Sequence, residues 1–237
     1  MHYGTDMNYL ELLFPTILSY EMKGKFPKIK EDEDLWNIFN PDSDNSLINQ
    51  LKETFESLKL GIGLGKYVII DQTEGPVYID ENTKIDDFVR IEGPCYIGKG
   101  VKIKKGAYIR KGSWICEDAV VGHCSEIKNS LLMTGSKAPH FNYVGDSILG
   151  NGVNLGAGVK LSNVRNDRKK ISIITKEGDR IRTNLKKMGS IIGDGCGLGC
   201  NVVANPGTII EPYTMISPNK TVGGWVNNKF LSANNSK

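Results

Sequence analysis

The sequence predicts a mainly β fold: a parallel β-helix of six-residue repeats, with a short helical region before it and a β-hairpin inserted into it. Three observations carry this. Large aliphatic residues recur every six positions, at Ile79, Ile85, Ile91, Ile97, Ile103, Ile109, Ile115, Val121, Ile127 and Met133. A small or β-branched residue stands four positions after most of them, as at Thr83, Val89, Cys95, Val101 and Ala107. Turn residues lie between, as in Ile97-Gly-Lys-Gly and Ile109-Arg-Lys-Gly. A helix turns about 100° per residue and would scatter a period of six around its axis, whereas in an extended chain positions two and six apart share a face. Ordinary hairpins would not keep a strict six. The pattern reads as strands of two or three residues joined by tight corners, three hexads to a coil, with coils stacked roughly 4.8 Å apart.

Residues 1–66 differ in kind and are expected to form a helical cap region. Residues 8–22 are apolar around Pro15, and residues 46–60 place Leu47, Leu51, Phe55, Leu58 and Leu60 at helical spacing behind Ser46 as N-cap. The acidic stretches at 31–34 and 41–46 read as loops. This region would cover the first coil or one face of the prism, because solenoid ends need capping. GIGLGK at 61–66 does not fit a phosphate loop, which needs four residues between its first Gly and Gly-Lys. It reads as the flexible lead-in to a first coil near Val68.

The repeat domain is expected over 67–222, with two interruptions. The rhythm breaks after Met133 and returns at Tyr143, Leu149, Leu155 and Leu161. That step of ten predicts a bulge over 136–142, a place where a rigid scaffold carries chemistry. Residues 164–188 form the second interruption. ISIIT at 171–175 and RIRT at 180–183 flank KEGD, predicting a hairpin that projects from the prism. It is basic, with nine Lys or Arg against three acids between Arg165 and Lys187. The repeat resumes at Ile192, Leu198, Ala204, Ile210 and Ile216, and residues 223–237 read as a polar tail.

A net charge of +3, from 30 basic and 27 acidic residues, argues against nucleic acid as a partner. The first residues lack a basic segment followed by an apolar one, and no stretch reaches membrane-spanning length, so a cytoplasmic protein is expected. The five Cys are read as reduced and mostly packed. Zinc through Cys196 and Cys200 lacks two further ligands. A three-His site shared between subunits would have only His123, His140 and Glu126 to draw on. No metal is expected.

Only three His occur, and His2 lies in the N-terminal stretch. His140 falls in the predicted bulge with Lys137, while Lys128 and Arg110 precede it by less than two coils. A neutral imidazole beside fixed cations can take a proton near pH 7, and the cations suit an anion such as phosphate. The residues alone suggest a general base next to an anion pocket.

Residues 136–163 run SKAPHFNYVGDSILGNGVNLGAGVKLSN. This resembles the acetyltransferase domain of the bifunctional N-acetylglucosamine-1-phosphate uridyltransferase / glucosamine-1-phosphate acetyltransferase family, whose pattern is approximately SKAGHLxYLGDAxIGxxVNIGAGxxxxN. The likeness extends without gaps back through GAYIRKG at 106–112 and VGHCSEIK at 121–128, and more weakly on to residue 210. It implies a left-handed β-helix, a homotrimer with sites between neighbouring prisms, and a place in UDP-N-acetylglucosamine and nucleotide-sugar biosynthesis. It implies His140 as the catalytic base. Arg110, Lys128, Lys137, Tyr143 and Asn154 would bind the acceptor. Ala157, Asn163, Cys200 and Ser217 would contact acetyl-CoA, the co-substrate.

Some positions depart from the pattern. Pro139 replaces a Gly, Val164 an aromatic residue, and Cys200 a Ser. No GxGTRM-type loop occurs in these residues, so the resemblance is to the acetyltransferase without the nucleotidyltransferase domain. The activity implied is acyl-CoA-dependent N-acylation of an aminosugar phosphate such as glucosamine-1-phosphate. The alternatives are a non-catalytic hexapeptide scaffold or partner of a separate sugar nucleotidyltransferase, and O-acylation of a nucleotide sugar.

Overall fold

The computed structural model describes residues 9–17, 26–30, 33–54 and 63–227. Three parallel sheets of eight strands each make the sides of a left-handed triangular β-helix. Sheet A runs from Gly63–Leu64 to Met215–Ile216, sheet B from Ile69–Asp71 to Thr221–Val222, and sheet C from Val77–Ile79 to Trp225–Val226. The ladder thus begins ahead of Val68 and continues past Val222. Each strand pairs with the strand one coil away, so the Ile columns stack: Ile79 on Ile97 on Ile115 in sheet C, and Ile91 on Ile109 on Ile127 in sheet B. All six are buried in one continuous apolar core. Fully burying each such side chain contributes about 1.5–3 kcal/mol.

The corners reverse direction through left-handed backbone. Between sheets A and B the residues with positive φ are Tyr67, Phe88, Gly106, Cys124, Phe141, Gly158, Asn201 and Asn219, one per coil. Large side chains are disfavoured in this region, and the ladder bonds on either side of the corner hold them there.

The rhythm changes differently from the sequence expectation. Leu132, not Met133, pairs with Ile115 and fills the core. Val144, not Tyr143, pairs with Ile127. The sides ending at Leu132 and Leu149 are five residues long, because the chain turns one residue early at Asn129 and again at Asp146, both with positive φ. Those coils have seventeen residues where earlier ones have eighteen. Segment 136–142 is therefore not a bulge. Lys137–His140 is a regular strand of sheet A, with Val121 paired to Ala138 and His123 to His140. Gly122 makes room for it, since a Cβ there would overlap the Pro139 carbonyl. The one-residue slip turns Tyr143 from an inward position to an outward one, as a period of two requires.

The outer face of sheet C is covered. Tyr96, Trp114, Leu131, Ile148, Ile191 and Ile209 form a second apolar cluster with Leu13, Phe14, Trp36, Ile38, Phe39, Leu47 and Leu51 of the N-terminal region. The helix Leu47–Thr54 is capped by Ser46, whose Oγ accepts the Asn49 amide at 3.3 Å. Phe55, Leu58 and Leu60 lie outside the described residues. Thr16 donates through N and Oγ1 to Asp194 Oδ2 at 3.0 and 2.6 Å, fastening this segment to a corner of the prism. The hairpin forms as expected, Ser172–Ile174 against Arg180–Arg182. It does not project: Ile171 and Ile173 are buried in the same cluster, and Lys176 pairs with Glu211 at 3.1 Å. The N-terminal region and the hairpin together cover one side of the prism and leave sheets A and B open.

Candidate active site

His140 ends its strand at the corner between sheets A and B, and its side chain is exposed. Its backbone is held firmly. Asn142, 2% exposed, accepts the His140 amide on Oδ1 at 2.9 Å, donates Nδ2 to the Gly156 carbonyl at 2.8 Å, and donates its own amide to Ser125 Oγ at 3.1 Å. The Gly158 amide donates to the His140 carbonyl at 2.9 Å. One coil before, His123 is the register partner of His140. Its Nδ1 meets the Lys105 carbonyl at 2.8 Å, and its ring packs edge-on to Phe141 at 5.3 Å.

The same corner brings together several residues separated in sequence. The Asn201 amide donates to the Ala157 carbonyl at 2.9 Å, so Cys200 stacks over Ala157, and Ala157 stacks over His140. His140 and Cys200 are two coils, or roughly 10 Å, apart. Cys200 and Cys124 are exposed, whereas Cys95, Cys116 and Cys196 are buried. Burial pushes the Cys196 thiol up to about 12. Asn154 lies on the open face of sheet A beside its register partner Lys137, and both are exposed. Ser217 is exposed after the last strand of sheet A, near the far end of the prism from Lys84.

Three of the residues expected to bind the acceptor, Arg110, Lys128 and Tyr143, line the open face of sheet B. Glu126 pairs with Tyr143 in register, and Lys128 with Gly145. The two cations are already matched: Arg110 Nη1 bonds Glu126 at 2.9 Å, and Lys128 Nζ bonds both Asp146 oxygens at 3.0 and 3.1 Å. They therefore do not act on His140 as free positive charges, as the sequence suggested. Asp146 is the hub of this row. It is 2% exposed and also takes Asn129 Nδ2 at 2.8 Å and Asn163 Nδ2 at 2.5 Å. Asn163 is thereby tied to the row of Lys128 and Asp146 rather than standing free near Cys200. Above Gly145 the Tyr143 hydroxyl lies beside Asn163, where a Cβ at 145 would come within 2.6 Å of the hydroxyl and 2.9 Å of Asn163 Nδ2. Burial first, then the negative Asp146 and Glu126, hold the Tyr143 hydroxyl above its ordinary value of 10.0 and keep it a neutral donor.

Asn142 and Asp146 were not singled out in the sequence, and Glu126 only as a third ligand for a metal site that was set aside. The signal for Asp146 was available: an acid at the corner of a shortened coil, one coil from Lys128. Among the described residues, no three His, Cys, Asp or Glu side chains group as a metal site. No helix among them is long and apolar enough to cross a membrane.

Residues 91–229 match the family described as GMPPB C-terminal domain. The bifunctional sugar-1-phosphate nucleotidylyltransferase/acetyltransferase of Sulfurisphaera tokodaii is 36% identical over 177 residues, covering 75% of this chain and 44% of that protein. The bifunctional protein GlmU of Methanococcus aeolicus is 38% identical over 156 residues, covering 66% and 37%. The uncharacterized acetyltransferase YaiX of Escherichia coli O6:K15:H31 is 34% identical over 176 residues, covering 73% and 76%. The chain spans less than half the length of these two bifunctional relatives and about three quarters of YaiX. The stacked hexads and these matches together place the chain in the GMPPB C-terminal domain family, as a hexapeptide-repeat acyltransferase related to the acetyltransferase domain of the bifunctional sugar-1-phosphate enzymes.

Proposed function

We propose that the protein transfers an acetyl group from acetyl-CoA to the amine of an aminosugar phosphate such as glucosamine-1-phosphate, with His140 as general base. The observation that supports this most is the A/B corner, where an exposed His140 is held by the buried Asn142 between the open acceptor row of sheet B and the Ala157–Cys200 column. The amine attacks the thioester carbonyl carbon, and a C–N bond forms as the C–S bond breaks. His140 takes the amine proton and returns it to the departing thiolate. Of the three amides in the Gly156–Ala157–Gly158 corner, Gly156 and Gly158 donate to the ladder, which leaves the Ala157 amide to face the thioester oxygen. On the acceptor side, Arg110, Lys128 and Tyr143 orient the sugar phosphate, with Lys137 and Asn154 on the adjoining face of sheet A. Asn163, Cys200 and Ser217 complete the donor side.

A homotrimer would complete the site. Exposed Leu64, Tyr67, Ile69, Phe88, Phe141 and Met215 all lie on sheets A and B or the corner between them, the faces a second prism would cover. Light scattering at three times the chain mass is expected, and a monodisperse monomer would count against it. The activity test follows free thiol with acetyl-CoA and glucosamine-1-phosphate. His140→Ala should lower kcat by about 10²–10⁴ with an unchanged melting temperature. Activity within a few-fold of wild type would remove His140 from this role.

The pairing of Arg110 and Lys128 with acids favours a second reading, O-acylation of a nucleotide sugar whose phosphates bind away from these two cations. Product analysis with such an acceptor separates the two. A catalyst must bind the coenzyme A thioester, whereas a non-catalytic scaffold, or partner of a separate nucleotidyltransferase, need not.

A further inference from the structure

A cleft of about 540 Å³ opens where sheet B meets sheet C, between the N-terminal segment and the chain leading into and out of the hairpin. Its apolar lining is Phe39, Ile48 and Leu185. Its charged lining is Lys111, Lys128, Lys170, Lys186 and Lys187, with Asp42 and Asp146. Lys128 answers Asp146 and Lys111 answers Glu74. The other three lysines answer no carboxylate among the described residues: Lys170 reaches only the neutral Asn184 Oδ1, at 3.4 Å, and Lys186 and Lys187 have no partner. Three lysines without a carboxylate partner among the described residues thus line one cleft, with Asp42 as its one acid outside an ion pair. All three are exposed and pack nothing, so the core does not require them. A polyvalent anion would supply the partner they lack, and phosphate oxygens match ammonium donors at short range.

We propose that this cleft binds the phosphate-bearing part of a nucleotide. Lys170, Lys186 and Lys187 hold the phosphates, and Phe39, Ile48 and Leu185 supply the apolar surface for the nucleoside. The volume lies within the usual range of small-molecule sites, about 300–1,000 Å³. The cleft shares Lys128 and Asp146 with the row of Arg110 and Tyr143, whereas His140 stands beyond the Phe141 corner at the opposite edge of sheet B. The cleft does not depend on the role given to His140. Two ligands share the chemistry: the nucleotide end of a coenzyme A thioester, and a nucleotide-linked acceptor.

The test is calorimetry on the full chain at low ionic strength with inorganic pyrophosphate as probe. Lys186→Glu combined with Lys187→Glu should weaken binding about tenfold or more, while Lys84→Glu with Lys102→Glu, on sheet A, should change it less than about twofold. Should the first pair melt early, Lys186→Gln with Lys187→Gln removes the charges without reversing them and should still weaken binding about threefold. No pyrophosphate binding by wild type, or equal losses in the hairpin and sheet A variants, overturns the proposal. Displacement of pyrophosphate by coenzyme A alone assigns the cleft to the donor, and displacement by a nucleoside diphosphate sugar alone assigns it to the acceptor. Displacement by neither overturns the nucleotide assignment.

Discussion

Sheet C and sheet B are built from the same repeat and differ only in what faces outward. Inward, both stack Ile on Ile through the core. Outward, sheet C carries Tyr96, Trp114, Leu131, Ile148 and Ile209, which the N-terminal region and the hairpin bury. At the equivalent outward positions sheet B carries Tyr108, Glu126, Tyr143 and Lys160, which remain at the surface. The hexad rhythm therefore sets the scaffold, and the residue between two inward positions decides whether a face becomes core or site. An apolar outer face must be covered to be stable in water, while a charged one can be matched within itself and kept open.

The largest effect should come from breaking the covered face. Trp114→Ala removes a fully buried indole packed on Tyr96 at 5.4 Å and should cost about 3–5 kcal/mol, read as a shift in denaturant midpoint. A cost below about 1 kcal/mol would mean that the N-terminal region does not pack there as described.

Asp146→Ala tests the one place where the open face is nearly as dry. Lys128, 15% exposed, would lose its partner, and a cost of about 3 kcal/mol is expected, with Asp146→Asn milder because it keeps the Asn129 and Asn163 neighbours near a polar group. By contrast Arg110→Ala breaks a pair more than a third exposed on each side or close to it, and should cost about 1 kcal/mol or less.

A smaller effect is set by pH. The buried thiols of Cys95, Cys116 and Cys196 and the hydroxyls of Tyr9 and Tyr143 are all held above their ordinary values, by burial first in each case. Raised values mean that the folded state keeps these protons while the unfolded chain loses them, from about 9.0 for thiols and 10.0 for phenols. The unfolded state then binds fewer protons, so stability is fully present below pH 9 and declines as pH rises beyond it. Melting temperatures flat from pH 8 to 10.5 would contradict this. A thiol reagent under native conditions should titrate Cys124 and Cys200 quickly, and the three buried thiols only on unfolding. The smallest effect belongs to sheet A: Lys102→Ala should stay within about 0.5 kcal/mol of wild type.

The sequence alone determined the scaffold. A strict period of six in Ile and Val admits few folds, and the turn residues between hexads mark the corners, because strand and corner are both local properties of the chain. It also marked the hairpin and the Ser46 cap. The tertiary structure decided the phase. Whether 127 to 149 contains one bulge or two shortened sides depends on which residue each coil places over the last, which is a contact between residues seventeen apart. That one-residue difference carries Tyr143 outward beside Glu126 and makes Asp146 a corner residue facing Lys128, Asn129 and Asn163. The tertiary structure also laid the N-terminal region and the hairpin on one side of the prism, by matching apolar surfaces far apart in the chain. No local pattern contains that information, since burial of one surface by another depends on which faces the folded coils leave apolar.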